Sequence, residues 1–134
     1  MGAGGHEMAL ILVVDDEVLL SDILATMLID DGHEAITAPH GRAALQMIRE
    51  RKPALVITDF MMPLMTGLEL AQAIRADNDL ADLPLILVTG AQGHVARQHD
   101  DLFAAVIDKP YDRAELLAFV KRSEERRVGK ECLE

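Results

Sequence analysis

Four short runs of mostly branched apolar residues, Leu10 to Val14, Leu55 to Thr58, Leu85 to Val88 and Ala104 to Ile107, are apolar on consecutive rather than alternate positions. A strand with one wet face alternates; a strand covered on both faces does not, and such strands belong to parallel sheets. A weaker fifth run, Glu34 to Ala38, follows Gly32-His33 and is expected nearer an edge.

Segments with helical spacing separate these runs. Val18 to Asp30 sets Leu20, Ile23, Leu24, Met27 and Leu28 on one face, with Gly32 beyond its end as a stop. Arg42 to Arg51 repeats the spacing with Ala44, Leu45 and Ile48, and Leu68 to Ala76 with Leu70, Ala71 and Ile74. Gln92 to Asp101 has little amphipathicity and predicts only a short helix. Asp112-Arg113-Ala114-Glu115 resembles a capping box that opens a last helix carrying Leu116, Leu117 and Val120. Strand and helix thus alternate five times. The expectation is a doubly wound α/β domain over residues 9–121, with helices on both faces of a parallel sheet.

The ends differ from this body. Residues 1–8 are Gly-rich and read as a flexible leader, without the basic and long apolar segments of a signal peptide. Residues 122–134 interleave basic and acidic side chains and continue the final helix's pattern poorly. Arg122 to Cys132 resembles the conceptual translation of a sequencing-adapter DNA, and Leu133-Glu134 the join to a purification tag, so a non-native tail is expected there.

Composition narrows the partners. The formal net charge of -10 disfavours direct contact with nucleic acid or an anionic membrane, which needs clustered Lys and Arg. One cysteine, Cys132, excludes an internal disulfide and fits a reducing cytoplasm. The apolar runs are too short to span a bilayer. The histidines are scattered, and His94 and His99 are most simply loop or surface residues.

In a doubly wound sheet, ligands bind beyond the carboxyl ends of the strands. Asp15 and Asp16 follow the first strand, Asp59 the third, Thr89 ends the fourth and Lys109 follows the fifth. Taken singly, Asp15-Asp16 could cap a helix, Asp59 could be a turn residue, Thr89-Gly90 a loop and Lys109-Pro110 a strand exit. Taken together they should converge. Three carboxylates so placed repel one another unless a cation joins them, and Mg²⁺ is the hard, oxygen-seeking choice. A carboxylate in that setting can attack a phosphoryl group and hold it as an acyl phosphate. Asp59 is the candidate nucleophile, Asp16 a metal ligand and Asp15 a ligand through water. Lys109 is the ion-pair partner and Thr89 the hydroxyl.

The order Val13-Val14-Asp15-Asp16-Glu17, Asp59-Phe60-Met61-Met62-Pro63 with Gly67, Val88-Thr89-Gly90 and Asp108-Lys109-Pro110 resembles the receiver domains of two-component response regulators. That resemblance implies a flavodoxin-like fold with strand order 2-1-3-4-5. It implies phosphorylation of Asp59 by a sensor histidine kinase or histidine phosphotransfer protein, followed by a conformational switch. It also implies Mg²⁺ on Asp16, Asp59 and the Met61 backbone carbonyl, phosphoryl contacts from Thr89 and Lys109, and a cis Lys109-Pro110 bond. The output is then a second copy of the chain or a downstream target protein, in the cytoplasm. As an enzyme the chain would have only intrinsic autophosphorylation and autodephosphorylation chemistry.

Two departures stand out against that family. Val106 occupies the switch position, three before the lysine, where an aromatic ring usually turns inward as the threonine moves. The span from Thr89 to Lys109 is also compressed, which shortens the fourth helix. Met61 and Ala91 are apolar where side chains influence water access, so slow self-dephosphorylation is expected. A competing reading keeps the fold as an interaction or dimerisation module that does not switch conventionally. A haloacid-dehalogenase-type phosphotransferase would need a second aspartate two positions after the nucleophile, where Met61 stands, and no Gly-rich phosphate loop supports nucleotide binding.

Overall fold

Each apolar run forms a strand, and consecutive side chains of a strand feed two separate cores. The computed structural model describes residues 9–90 and 93–132, from residue 125 onward by backbone alone. In chain order the elements are β1 (Leu10–Val14), α1 (Val18–Asp30), β2 (Glu34–Ala38), α2 (Gly41–Arg51), β3 (Leu55–Asp59) and α3 (Gly67–Ala76), then β4 (Leu85–Thr89), α4 (Gly93–Arg97), β5 (Ala105–Asp108) and α5 (Arg113–Cys132). Short 3-10 turns cover Asn78–Leu80 and Asp100–Leu102. The five strands pair in parallel in the order β2-β1-β3-β4-β5. This is the flavodoxin-like arrangement expected from the sequence, with β2 at one edge and β5 at the other.

The alternation of strand side chains decides which helix goes where. Leu12, Val14, Val56, Leu85 and Leu87 face α2, α3 and α4, where they meet Ala44, Ile48, Leu70, Ile74 and Ala96. Ile11, Val13, Leu55, Ile57, Ile86 and Val88 face α1 and α5, where they meet Leu24, Leu28, Leu116 and Val120. Burying each such side chain is worth about 1.5–3 kcal/mol, and both faces must be covered for the consecutive pattern to be stable.

Local chemistry sets the helix ends. Thr66 and Glu69 form a complete capping box on α3, the Thr66 hydroxyl accepting from Glu69 N at 3.1 Å and Thr66 N donating to the Glu69 carboxylate at 2.9 Å. Asp112 caps α5 by accepting from Glu115 N at 2.7 Å. His40 caps α2 through Nδ1, which accepts from Ala43 N at 3.1 Å, and Lys52 closes it in a left-handed conformation with φ 50°.

Two helices differ from the sequence reading. In α1 the inward residues are Ser21, Leu24, Ala25 and Leu28, while Leu20 and Ile23 face outward. The helix is apolar nearly all round, so spacing alone could not say which stripe packs. In α5 the backbone stays helical through Cys132 rather than failing after Lys121. Ser123 continues the inward stripe of Leu116 and Val120 at helical spacing and is buried, and the Arg122 guanidinium stacks 4.9 Å from the Phe119 ring. Buried His33, at the start of β2, lies 3.6 Å from Asp31 and 3.7 Å from Glu124 of α5.

Gly67 fixes how α3 meets the sheet. Its backbone N donates to Phe60 O at 2.9 Å. A Cβ there would collide with the Asp59 carbonyl oxygen and approach Leu87 Cδ1 at 2.7 Å. Backbone cannot yield as a flexible side chain can, so Gly67→Ala should cost about 1–3 kcal/mol. Urea denaturation checks this; an unchanged midpoint would mean that α3 does not need its close approach.

Candidate functional site

Because every strand is parallel, the carboxyl ends of β1, β3, β4 and β5 open on one edge, and the chemistry-bearing residues gather there. Asp59 is the last residue of β3 and Thr89 the last of β4, while Asp15 and Asp16 follow β1 and Lys109 follows β5. Oxygen atoms of Asp15, Asp16 and Asp59 lie within 4.8 Å of one another. The Lys109 ammonium sits 2.7 Å from Asp59 Oδ1. Lys109 N donates to Thr89 O at 2.8 Å, which sews the end of β5 to β4, and the Lys109-Pro110 peptide is cis.

The acidic pair after β1 does not cap α1. Asp15 Oδ1 accepts from Glu17 N at 2.9 Å, a turn ahead of the helix, and the cap residue Glu17 makes no side-chain bond. That turn leaves Asp15 half-buried against Asp59. Burial pushes the Asp15 carboxyl above its usual value; the Glu17 amide pulls it down, and the neighbouring Asp59 charge adds to the rise. Burial alone would lower Lys109, but the hydrogen bond and charge of Asp59, with help from Asp15 and Glu17, raise it overall. Burial likewise raises the Tyr111 phenol.

A cavity of about 310 Å³ opens beside these groups, lined by Asp15, Asp59, Lys109, Pro110, Tyr111 and Leu20 among others. Thr89 is buried at 1% exposure, and its hydroxyl has no hydrogen-bond partner among the described residues. An orphaned buried hydroxyl costs about 1–3 kcal/mol, so it is a group waiting for an acceptor.

Val106 faces the α2–α4 core, half-buried, and pairs with Leu87 in register. No aromatic ring stands at this strand position. The compressed α4 is a single short helix of residues 93–97, followed by the 3-10 turn. Ala91, with Gln92, lies outside the described residues, as do the leader 1–8 and residues 133–134.

Sequence reasoning missed two features. The first is an apolar collar: Val18, Leu19, Leu20 and Ile23 are exposed on the first two turns of α1, and Met61 and Leu64 on the loop after Asp59, while Ile29, also exposed, lies at the other end of α1. Leu64 is fully exposed with φ 72°, an unfavourable backbone state for a bulky residue. The second is Arg75, whose half-buried guanidinium donates to the carbonyls of Ala81, Leu83 and Leu102 at 3.3, 2.7 and 2.8 Å. No short motif announces either, because both depend on elements distant in sequence.

A family model for the response regulator receiver domain matches residues 11–121. The chain belongs to that family. The phosphate regulon transcriptional regulatory protein PhoB of Pseudomonas aeruginosa is 34% identical over 114 residues, which cover 83% of this chain and 49% of that protein. The probable transcriptional regulator ycf27 of Pyropia yezoensis is 40% identical over 123 residues, 90% of this chain and 49% of that protein. This receiver chain therefore spans about half the length of these relatives. Among solved structures, the chemotaxis protein CheY4 of Vibrio cholerae superposes with a TM-score of 0.81 at 28% identity, covering 87% of this chain and 99% of that one.

Receiver domains are phosphoacceptors that bind Mg²⁺ in their acidic pocket, and the donor set here fits that ion. It is all oxygen, and its three carboxylates lie within 4.8 Å of one another, with Asp15 raised chiefly by burial. No helix among the described residues is long and apolar enough to cross a membrane.

The raised Asp15 pKa has a definite sign. The folded state binds the proton more tightly than the unfolded one, so the charged form at neutral pH weakens folding, and this penalty fades as the pH falls toward 3.8. Asp15→Asn keeps the acceptor for Glu17 N, so in EDTA it should melt higher than wild type at pH 7, and the gain should shrink by pH 4. Mg²⁺ should stabilise wild type by about 1.4 kcal/mol at ten times its dissociation constant, raising its melting temperature, and do less for Asp16→Asn. Thermal melts with and without Mg²⁺ at the two pH values check both statements.

Proposed function

We propose that Asp59 is the phosphoacceptor of this receiver and takes its phosphoryl group from a phosphohistidine on a sensor kinase or phosphotransfer protein. The observation that carries this reading is the Lys109 ammonium held 2.7 Å from Asp59 inside a cluster of three carboxylates. A carboxylate oxygen of Asp59 attacks phosphorus, the N–P bond of the donor breaks, and the departing imidazole takes up a proton from solvent. Lys109 faces the new charge on the phosphoryl oxygens. The Thr89 hydroxyl, without a partner beforehand, donates to one of them. Asp16, Asp59 and the Met61 carbonyl would hold Mg²⁺, with Asp15 acting through water. When bound, that ion neutralises phosphoryl oxygens during transfer.

Autophosphorylation from small phosphodonors and hydrolysis of the acyl phosphate use the same groups. Hydrolysis needs water at phosphorus, and exposed Met61 beside Asp59 offers no polar atom to orient it, which favours a long-lived phosphoryl group.

In-line transfer requires the donor's histidine to reach Asp59, so the donor protein must cover the surface that rings it. That surface is the apolar collar of α1 and the Met61–Leu64 loop, with Asp15, Asp16 and Glu17 at its edge. A donor helix with an apolar stripe and basic flanks is complementary to it. The chain's output would be a second copy or a downstream target. The absence of an aromatic ring at Val106 is the one observation favouring a module that binds without switching conventionally.

Intact-mass analysis with acetyl phosphate and Mg²⁺ should show one added phosphoryl group on wild type and none on Asp59→Asn. An unmodified wild type would sink the reading. Leu19→Asp with Ile23→Asp should slow transfer from a phosphorylated histidine protein at least tenfold, a loss of about 1.4 kcal/mol, while leaving acetyl phosphate labelling intact. Equal slowing with both donors would count against the collar as the docking surface.

A further inference from the structure

We infer that in this chain the ion pair between Arg97 of α4 and Asp108 of β5, closed over Gly93, reports the state of Thr89 in place of the missing ring at Val106. The inference rests on the proposed phosphorylation of Asp59.

Arg97 and Asp108 meet side by side, Nη2 to Oδ2 at 2.8 Å and Nη1 to Oδ1 at 3.2 Å, the forked geometry that gives such pairs their directionality. Among the described residues these are the side-chain hydrogen bonds that join α4 to the sheet, and Asp108 adjoins both halves of the phosphoryl site. It pairs in register with Thr89 across β4 and β5, and it precedes Lys109, whose backbone N donates to Thr89 O at 2.8 Å. A displacement of Thr89 or Lys109 is therefore felt at Asp108.

Gly93 supplies the mechanical link. A Cβ at Gly93 would stand 2.7 Å from Arg97 Nη1, 2.7 Å from Asp108 Oδ1 and 3.7 Å from the Thr89 methyl carbon. Gly93 thus lies against the ion pair with no room for a Cβ, and within ordinary contact range of the Thr89 methyl. When the Thr89 hydroxyl turns to a phosphoryl oxygen, its methyl must rotate about the same bond. The packing beside Gly93 changes, and on this inference the fork opens or shifts with it.

The pair is also suited to a switch by being weak. Arg97 and Asp108 are each about half exposed, and exposed pairs add little to global stability. A weak latch on a five-residue helix can be thrown by the rearrangement of one hydroxyl, whereas a buried aromatic lock would demand more. Val106, on the same strand and paired in register with Leu87, stays packed against the α2–α4 core and need not move.

Hydrogen–deuterium exchange over residues 93–108, with and without beryllofluoride and Mg²⁺, tests this, with intact-mass labelling by acetyl phosphate run in parallel. Beryllofluoride should change α4 exchange in wild type at least threefold. Asp108→Asn and Gly93→Ala, which open the fork by different routes, should exchange faster beforehand and lose most of the response, while their melting temperatures and acetyl phosphate labelling stay near wild type. The charge-reversed variant Arg97→Asp with Asp108→Arg should restore the response in part. A wild-type response retained in full by Asp108→Asn overturns the inference, as does labelled wild type with unchanged α4 exchange. Failure of labelling in wild type would instead overturn the proposed phosphorylation.

Discussion

Mutual repulsion among Asp15, Asp16 and Asp59 is the constraint around which the functional edge is organised. Their oxygens lie within 4.8 Å of one another, and like charges at such distances are tolerated only where something offsets them. Lys109 supplies one positive charge from β5, and a divalent cation would supply the rest. What forces the carboxylates together is the sheet itself. In a parallel sheet every strand ends on the same edge, so residues far apart in sequence arrive side by side without any loop having to reach.

The same geometry explains the division of labour around the site. The β1, β3 and β5 ends carry charge, while the β4 end carries the hydroxyl of Thr89, buried and without a partner among the described residues. On one flank, α1 and the loop after Asp59 present apolar side chains to the outside; on the other, α4 is short and joined to β5 by the Arg97–Asp108 fork. On the proposed reading, one flank would receive a phosphodonor protein and the other would pass the signal on.

Much of this was readable in the residues. The consecutive apolar runs announced strands covered on both faces, and the polar residues at the ends of β1, β3, β4 and β5 announced the edge where chemistry gathers. Legibility failed where a segment had no contrast to read. Helix α1 is apolar on nearly every side, so its spacing points Leu20 and Ile23 inward although they face out, and it gives no sign of the collar beside Asp59. The charged end of α5 hid its inward stripe, because Ser123 is a weak apolar signal and becomes buried only through its position after Val120. Thr66-Gly67-Leu68-Glu69 was a complete capping signature that could have been read directly.

By itself, the sequence determined the class of fold and the alternation of elements, and it put Asp15, Asp16, Asp59, Thr89 and Lys109 at strand ends, since periodicity and strand-end position are local properties of a chain; its motifs pointed to the family. Only the tertiary structure decided which stripe of α1 is covered, that the Thr89 hydroxyl is left without a partner, that Arg75 ties three distant carbonyls together, and that Arg97 and Asp108 close over Gly93. Those outcomes depend on packing between elements and on the competition of side chains for the same space. That competition settles only when every element is in place.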